Sequence, residues 1–346
     1  MRRARRLSIL YLGAMNGTCR DRSNALRRLG HSITHLDLRE YLPKAFWVDR
    51  ITWNFGGHWF SPVVLNGIKK TLGNANFDLC YVDAGEYVTP RVIVGLRKYA
   101  GTIIAFNVDD PFGTRDGARF AAYRLSVPFY DLCAVVRNQN VKEAYERGAQ
   151  RVSRVFFGAD EIKHSPREIS ADDVLRWQSD VLFLGTWFPE RSSFLIDLLE
   201  RGIPLTIRGS RWNKAREWAD LKQYWRGGPI FDDDYAKAIQ CAKVNLGLLS
   251  KGNRDLHTTR SMEIPALGGL LCAERTTEHV AMYRENEEAL FWNDADECAV
   301  ACQLALSSES LRRTIAQAGR ARLRANGFYN EDILDKILED IVDTNL

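Results

Sequence analysis

Short β-branched and aliphatic runs alternate with helix-length amphipathic stretches along most of the chain, and no other feature restricts the fold as strongly. Strands separated by helices pair in parallel, because a right-handed crossover returns each strand to the same sheet. In the first half Leu7–Leu12, Ser32–Asp37, Asp78–Asp83, Thr102–Asn107, Asp131–Val136 and Val152–Phe157 read as strands, with helices at Thr18–Leu29, Pro90–Tyr99 and Asn138–Arg147. The stretch Phe46–Phe60 reads as irregular, with Phe46, Trp47, Trp53 and Trp59 expected to line a core. The alternation lapses after Gly158-Ala-Asp160 and restarts with strands at Asp180–Gly185, Pro204–Arg208, Val244–Leu249 and Gly269–Ala273. Helices are expected between them at Arg191–Arg201, Asp233–Cys241 and Arg260–Leu267.

With 346 residues the chain has room for two domains, and the lapse gives their boundary. We expect a first domain over 1–160, a linker over 161–179, a second domain over 180–327 and a closing segment over 328–346. The fold class is α/β: two Rossmann-like, doubly wound parallel-sheet domains facing a cleft, with ligands outside the carboxyl ends of the strands.

The net charge is +4, and Arg2, Arg3, Arg5 and Arg6 account for all of it. A neutral body lacks the basic stripe of a nucleic-acid binder. The basic tail reads as solvated, with weak contact to a membrane surface as the second reading. No apolar run approaches the roughly 18 to 20 residues that cross a bilayer. Leu7–Met15 is short and is followed by Asn16, Gly17 and Thr18 without a cleavage site, so no signal peptide is expected. Seven mostly isolated cysteines suit reduced thiols in a cytoplasmic protein; Cys298 and Cys302 share a helix face, but no neighbouring pair completes a zinc set.

The loops after the strands carry the chemistry. The first strand runs into Gly13-Ala-Met-Asn-Gly17, where glycine permits close backbone approach to an anion or a sugar. The spacing is neither the dinucleotide fingerprint nor a phosphate loop, which argues against NAD enzymes and ATPases. Asp109 and Asp110 close a strand before Pro111; they fit a general base or metal ligand, and equally a turn and a cap. In the second half His257, Thr258, Thr259 and Arg260 stand at a helix start, where hydroxyls, N–H groups and a guanidinium suit a diphosphate. Glu263 could accept two ribose hydroxyls, and Asp255 the hydroxyls of a hexose; a helical capping box between Thr259 or Arg260 and Glu263 is the alternative.

This stretch resembles the carboxyl-terminal half of family-4-type glycosyltransferases (glycosyl transferases group 1) of the GT-B fold, and within them the CgeB-like, spore-maturation group. The family's acidic signature, Glu-x7-Glu, is matched as Asp255-x7-Glu263, continuing as Glu263-Ile-Pro-Ala-Leu-Gly268. The likeness continues through Gly269-Leu-Leu-Cys-Ala, Thr276-Thr277-Glu278 and Glu287-Glu-Ala-Leu-Phe-Trp292. Upstream, Phe183-Leu-Gly185-Thr-Trp187-Phe-Pro-Glu-Arg191 is similar to the family's diphosphate-meeting segment, and Arg208-Gly209-Ser210 to the next strand end.

The resemblance implies that the second domain holds a nucleotide-diphosphate sugar and the first an acceptor, which can be a glycan, a lipid-linked group, a small molecule or a protein. It makes Glu263 the ribose ligand and Asp255 the residue touching the donor sugar, with a shorter side chain than the family's glutamate. Arg191 and Arg260 are implied for the diphosphate, Arg208 after them, with Gly185 and Gly13 as close-approach positions. Transfer is expected to retain configuration and to need neither metal nor cofactor; an inverting enzyme would take Asp109, Asp110 or Glu86 as base. The final helix Glu331–Val342 is expected to return to the first domain. An epimerase acting on the nucleotide sugar alone and a catalytically silent sugar-nucleotide binder are the alternatives.

Overall fold

The computed structural model describes residues 6–342, which form two units. Unit 1 holds the chain up to Phe157 with Gly252–Arg254 and the stretch from Asn330; unit 2 holds Gly158–Lys251 and Asp255–Tyr329. Arg2, Arg3 and Arg5 lie outside the described residues, and so does the reading of the basic tail.

In unit 1, β1 (Ser8–Leu12), β2 (Ser32–Leu36), β3 (Phe77–Asp83), β4 (Ala100–Asn107), β5 (Leu132–Val135) and β6 (Val152–Arg154) form one sheet. Their order is β2-β1-β3-β4-β5-β6, every pair parallel. A parallel sheet is covered on both faces, so its inner strands are apolar at nearly every position. Leu10, Leu12, Cys80 and Val82 enter one core, and the intervening Ile9, Tyr11, Leu79 and Tyr81 enter the core on the opposite face. The helix Asn330–Val342 completes the second core with Ile333, Leu334, Ile337 and Leu338, and Glu331 pairs with Arg28 on the helix Gly17–Arg28.

Unit 2 repeats the plan with β7 (Ser179–Leu184), β8 (Leu205–Arg208), β9 (Ala242–Gly247), β10 (Leu271–Glu274) and β11 (Leu290–Trp292), all parallel in the order β11-β10-β9-β7-β8. In each unit the first strand lies between the next two in sequence. The chain therefore winds first one way and then the other, which opens a crevice at the carboxyl ends of β1 and β3 and of β7 and β9.

Three expectations change. Phe46–Phe60 is a helix, Phe46–Phe55, followed by a 3-10 turn, Gly57–Phe60. That helix buries Val48 and Thr52, spaced i and i+4, while Phe46, Trp47, Trp53 and Trp59 face solvent, because aromatic content gives no information on which stripe faces inward. The 161–179 stretch contains a helix, Ala171–Trp177, started by a reciprocal capping box of Ser170 and Asp173 and tied to Lys237 by a 2.9 Å ion pair. It buries Trp177 alone, too little for an apolar period to show. Cys298 and Cys302 do acquire a third thiol: Cys272 of β10 brings the three buried sulfurs within 4.8 Å of one another. Among the described residues no helix is long and apolar enough to cross a membrane.

Candidate functional site

The unit 2 crevice begins where β7 ends. The Gly185 N–H donates to the Arg208 carbonyl (3.0 Å), and its own carbonyl accepts from the Trp212 indole (3.0 Å). A side chain on Gly185 would press within 2.7 Å of the Phe183 ring, and one on Gly209, whose φ is +140°, would strike the Gly185 backbone. Two glycines thus let the ends of β7 and β8 touch backbone to backbone. The Arg208 guanidinium lies over the Trp177 ring, 4.7 Å from its centroid, and makes no hydrogen bond or ion pair among the described residues. Burial and the nearby Arg176 and Arg226 lower its pKa from the ordinary arginine value.

Arg191 is buried and already held. Its guanidinium donates to the carbonyls of Thr186 (2.8 Å), Leu248 (3.0 Å) and Leu249 (3.1 Å), so it staples the loop after β7 to the end of β9. We therefore predict that Arg191→Ala leaves two buried carbonyls and one part-buried one short of a donor and costs about 2 to 4 kcal/mol of stability. A lower thermal midpoint without ligand is the expected reading; an unchanged midpoint with lost nucleotide binding would return Arg191 to the diphosphate.

On the far side of the crevice, the helix Arg260–Ala266 positions two charged groups. Arg260 reaches the Leu184 carbonyl (3.2 Å), lies over the Tyr235 ring and pairs with Glu263 one turn on. Glu263 also accepts from the Tyr235 hydroxyl (2.6 Å) and lies 3.6 Å from His164. Burial alone would raise its carboxyl, but Arg260, His164 and the Tyr235 hydrogen bond outweigh it and hold the pKa at about 2. Glu263 is therefore an anion held by a cation, and no side-chain cap forms at Thr259. Thr258 receives the Arg260 N–H on its hydroxyl (3.2 Å), His257 pairs with Glu278, and Asp255 is buried with its N–H toward the Ser250 carbonyl.

Unit 1 has a cavity of about 300 Å³ at the carboxyl ends of β1 and β3. Gly13 lies on its wall, its N–H on the Leu36 carbonyl (3.0 Å) and its carbonyl beside His35 (3.0 Å). Beneath it Asp83 takes two bonds from Arg22 (2.8 and 3.0 Å) and one from the Tyr11 hydroxyl. Burial and the Asp83 charge push the neighbouring Cys19 thiol up to about 12, which removes it as a nucleophile. Arg119, also lining the cavity, bonds Glu86 (2.6 Å) and Asp109 (3.2 Å). Burial raises the Glu86 carboxyl above its ordinary value, against the pull of Arg119.

The two adjacent acids part company. Asp109 stays half-exposed beside Arg119, whereas Asp110 is buried and accepts from Asn140 (2.8 Å), the Gly113 N–H (3.1 Å) and Arg254 (2.5 and 2.6 Å). Desolvation would raise Asp110, yet Arg254 and Asn140 hold it below the usual carboxylate range, so it anchors Gly252–Arg254 within unit 1 instead of awaiting a proton. Sequence reasoning passed over Arg22, Tyr11, Asp83, Arg119, His164 and Tyr235. Asp83 alone carried a signal, an acid closing a strand; the others become visible only when distant segments meet.

Residues 191–339 match the family profile described as glycosyl transferase-like. A comparison with curated proteins finds no match. Among solved structures, HepE of Anabaena in complex with UDP and glucose superposes with a TM-score of 0.62 at 13% identity, covering 97% of this chain and 100% of that one. Sucrose-phosphate synthase from Thermosynechococcus elongatus gives 0.66 at 15% identity, over 96% and 98% of the two chains. A UDP-forming trehalose-phosphate synthase from Burkholderia xenovorans gives 0.63 at 11% identity, over 99% and 100%. The chain thus has the GT-B fold, and the segment that carries Arg191, Arg208, Arg260 and Glu263 is similar to the glycosyl transferase-like family.

Proposed function

We propose that the protein is a glycosyltransferase that moves a sugar from a nucleoside-diphosphate sugar to an acceptor hydroxyl, retaining configuration and using no metal ion. The observation that carries the reading is the Arg260–Glu263 clasp at the β7/β9 crevice, inside the segment that matches the transferase-like family. The CgeB-like likeness of Asp255–Gly268 supports the same reading, as do the complexes of HepE with UDP and UDP-glucose. Seven unpaired cysteines support a reducing, cytoplasmic setting.

In this reading Glu263, already ionised, accepts the ribose hydroxyls without a proton to lose. Asp255 takes hydroxyls of the donor sugar, and His257, Thr258 and Thr259 line the approach. As the anomeric carbon becomes cationic, negative charge grows on the leaving diphosphate. Arg260 and the unpaired Arg208 meet that charge, which stabilises the transition state more than the bound ground state. Two fixed guanidiniums can do the work of a divalent ion there, so transfer should survive chelation. In unit 1 Asp109, oriented by Arg119, holds the acceptor hydroxyl.

The test separates binding from transfer. Asp109→Asn should keep its nucleotide affinity and lose roughly 100-fold or more in transfer, the ordinary weight of a positioned acid or base. Gly13→Val should behave alike, because its side chain enters the cavity against Tyr11 (3.0 Å) and Asp83 (3.1 Å). Calorimetry with UDP and a transfer assay with and without EDTA read out both halves. Equal losses of affinity and turnover would sink the division of labour, and net epimer without acceptor would make the protein an epimerase.

A further inference from the structure

The aromatic stretch that the fold leaves in solvent lies beside the unit 1 cavity. Phe46 is 79% exposed, Trp53 46% and Trp59 68%, with Trp47, Phe55 and Val63 exposed around them. On the helix Phe46–Phe55, Phe46, Arg50 and Trp53 recur at i, i+4 and i+7, opposite the buried Val48 and Thr52. On the helix Ser61–Leu72, Val63 and Lys70 share a face in the same way. The segment is anchored, since the Trp53 carbonyl accepts from the Ala118 N–H (3.0 Å) and the Thr52 hydroxyl donates to the Tyr87 hydroxyl (3.4 Å).

The charges along this stretch of chain, 39–70, are sorted by sign. Asp49 is paired with Arg39 and Glu40 with Lys44, each at 3.0 Å, whereas Arg50, Lys69 and Lys70 make no ion pair among the described residues. Tryptophan and phenylalanine set among unpaired cations are the composition of a helix that lies in a lipid headgroup layer. A second copy of this patch would bring cations against cations. A glycan would need acceptors near the rings for its hydroxyls, and the carboxylates here are engaged in ion pairs. Arg39 and Asp49 also line the 300 Å³ cavity, so the patch forms part of its rim.

We propose that residues 46–63 seat unit 1 on an anionic membrane surface and that, resting on the transferase reading above, the acceptor is a hydroxyl carried on a lipid. The full chain is floated with vesicles of phosphatidylcholine alone and of phosphatidylcholine mixed with phosphatidylglycerol. Binding to the mixed vesicles is expected, with tryptophan emission shifted to the blue and quenched by brominated acyl chains. Phe46→Ser with Trp53→Ser should weaken it at least about tenfold, and Arg50→Glu, on the same helix face, by several-fold, the patch contributing both apolar burial and charge. These exposed changes should leave UDP affinity intact, and an unchanged circular dichroism spectrum and thermal midpoint show that unit 1 still folds in the variants. Three results overturn the proposal: no binding of the unaltered chain, undiminished binding of the Phe46/Trp53 variant, or a dimer by light scattering that this variant loses. Undiminished binding would place the contact on the terminal arginines. Vesicle binding without any affinity for nucleoside diphosphates would leave the docking surface standing and remove the acceptor assignment.

Discussion

Glu263→Gln should lower nucleotide affinity by roughly tenfold or more, since a charge-assisted hydrogen bond is worth about 1.5 to 3 kcal/mol. It should also change how stability responds to acid. In the folded chain the Glu263 carboxyl is held at about 2, below its ordinary 4.5. Between those values the unfolded chain binds a proton that the folded chain does not, so stability falls as the pH drops. The contribution is fully present above pH 4.5 and amounts to about 3 kcal/mol by linkage. Glutamine abolishes this slope and leaves Arg260 with a neutral partner, so the variant starts less stable at neutral pH and loses less on acidification. Urea midpoints at pH 6 and pH 3.5 check this, and parallel losses in the two proteins would show that Glu263 is not the group responsible.

Arg22→Ala should produce the largest loss of stability in unit 1. Asp83 is fully enclosed, and two of the bonds it accepts come from Arg22. Removing one partner of a buried pair costs about 3 to 5 kcal/mol, because the remaining charge has no water to turn to. The floor of the cavity would then shift under Gly13, and any acceptor-dependent step with it. Combining Arg22→Met with Asp83→Asn should cost less than Arg22→Ala alone, since neither charge is left stranded. Chemical denaturation of the three proteins decides the matter. If the double variant proves the weaker, the pair is not the source of the loss.

The strands and their parallel pairing were legible because a buried parallel strand must be apolar on both faces, and β1, β3, β4, β7 and β9 are long enough to show it. Leu290–Trp292 was not, since three residues carry no period. The same limit hid the helix Ala171–Trp177, whose single buried tryptophan makes no stripe. At the site, charged residues beside a strand end could be read as candidates, but sequence does not say whether a guanidinium faces a ligand or a carbonyl. Arg191 and Arg208 show the difference: one follows a strand and the other closes one, yet only Arg191 is ringed by main-chain acceptors. Asp109 and Asp110 differ for a like reason, because Arg254, far along the chain, reaches only the second of them.

The helix Asn330–Val342 lies against the strands nearest the amino terminus, and that placement sets an order of events during synthesis. Ile9, Tyr11 and Leu26 leave the ribosome early, but Ile333, Leu334, Ile337 and Leu338, which share their core, leave only after unit 2. Part of one face of the first sheet, beside the Ala25 and Leu26 that reach it earlier, must therefore stay uncovered while all of unit 2 is being translated, with the second core free to close in the meantime. The half that begins first finishes second. A nascent chain halted at Tyr329 would present a complete second sheet beside a first one still open to chaperones and proteases.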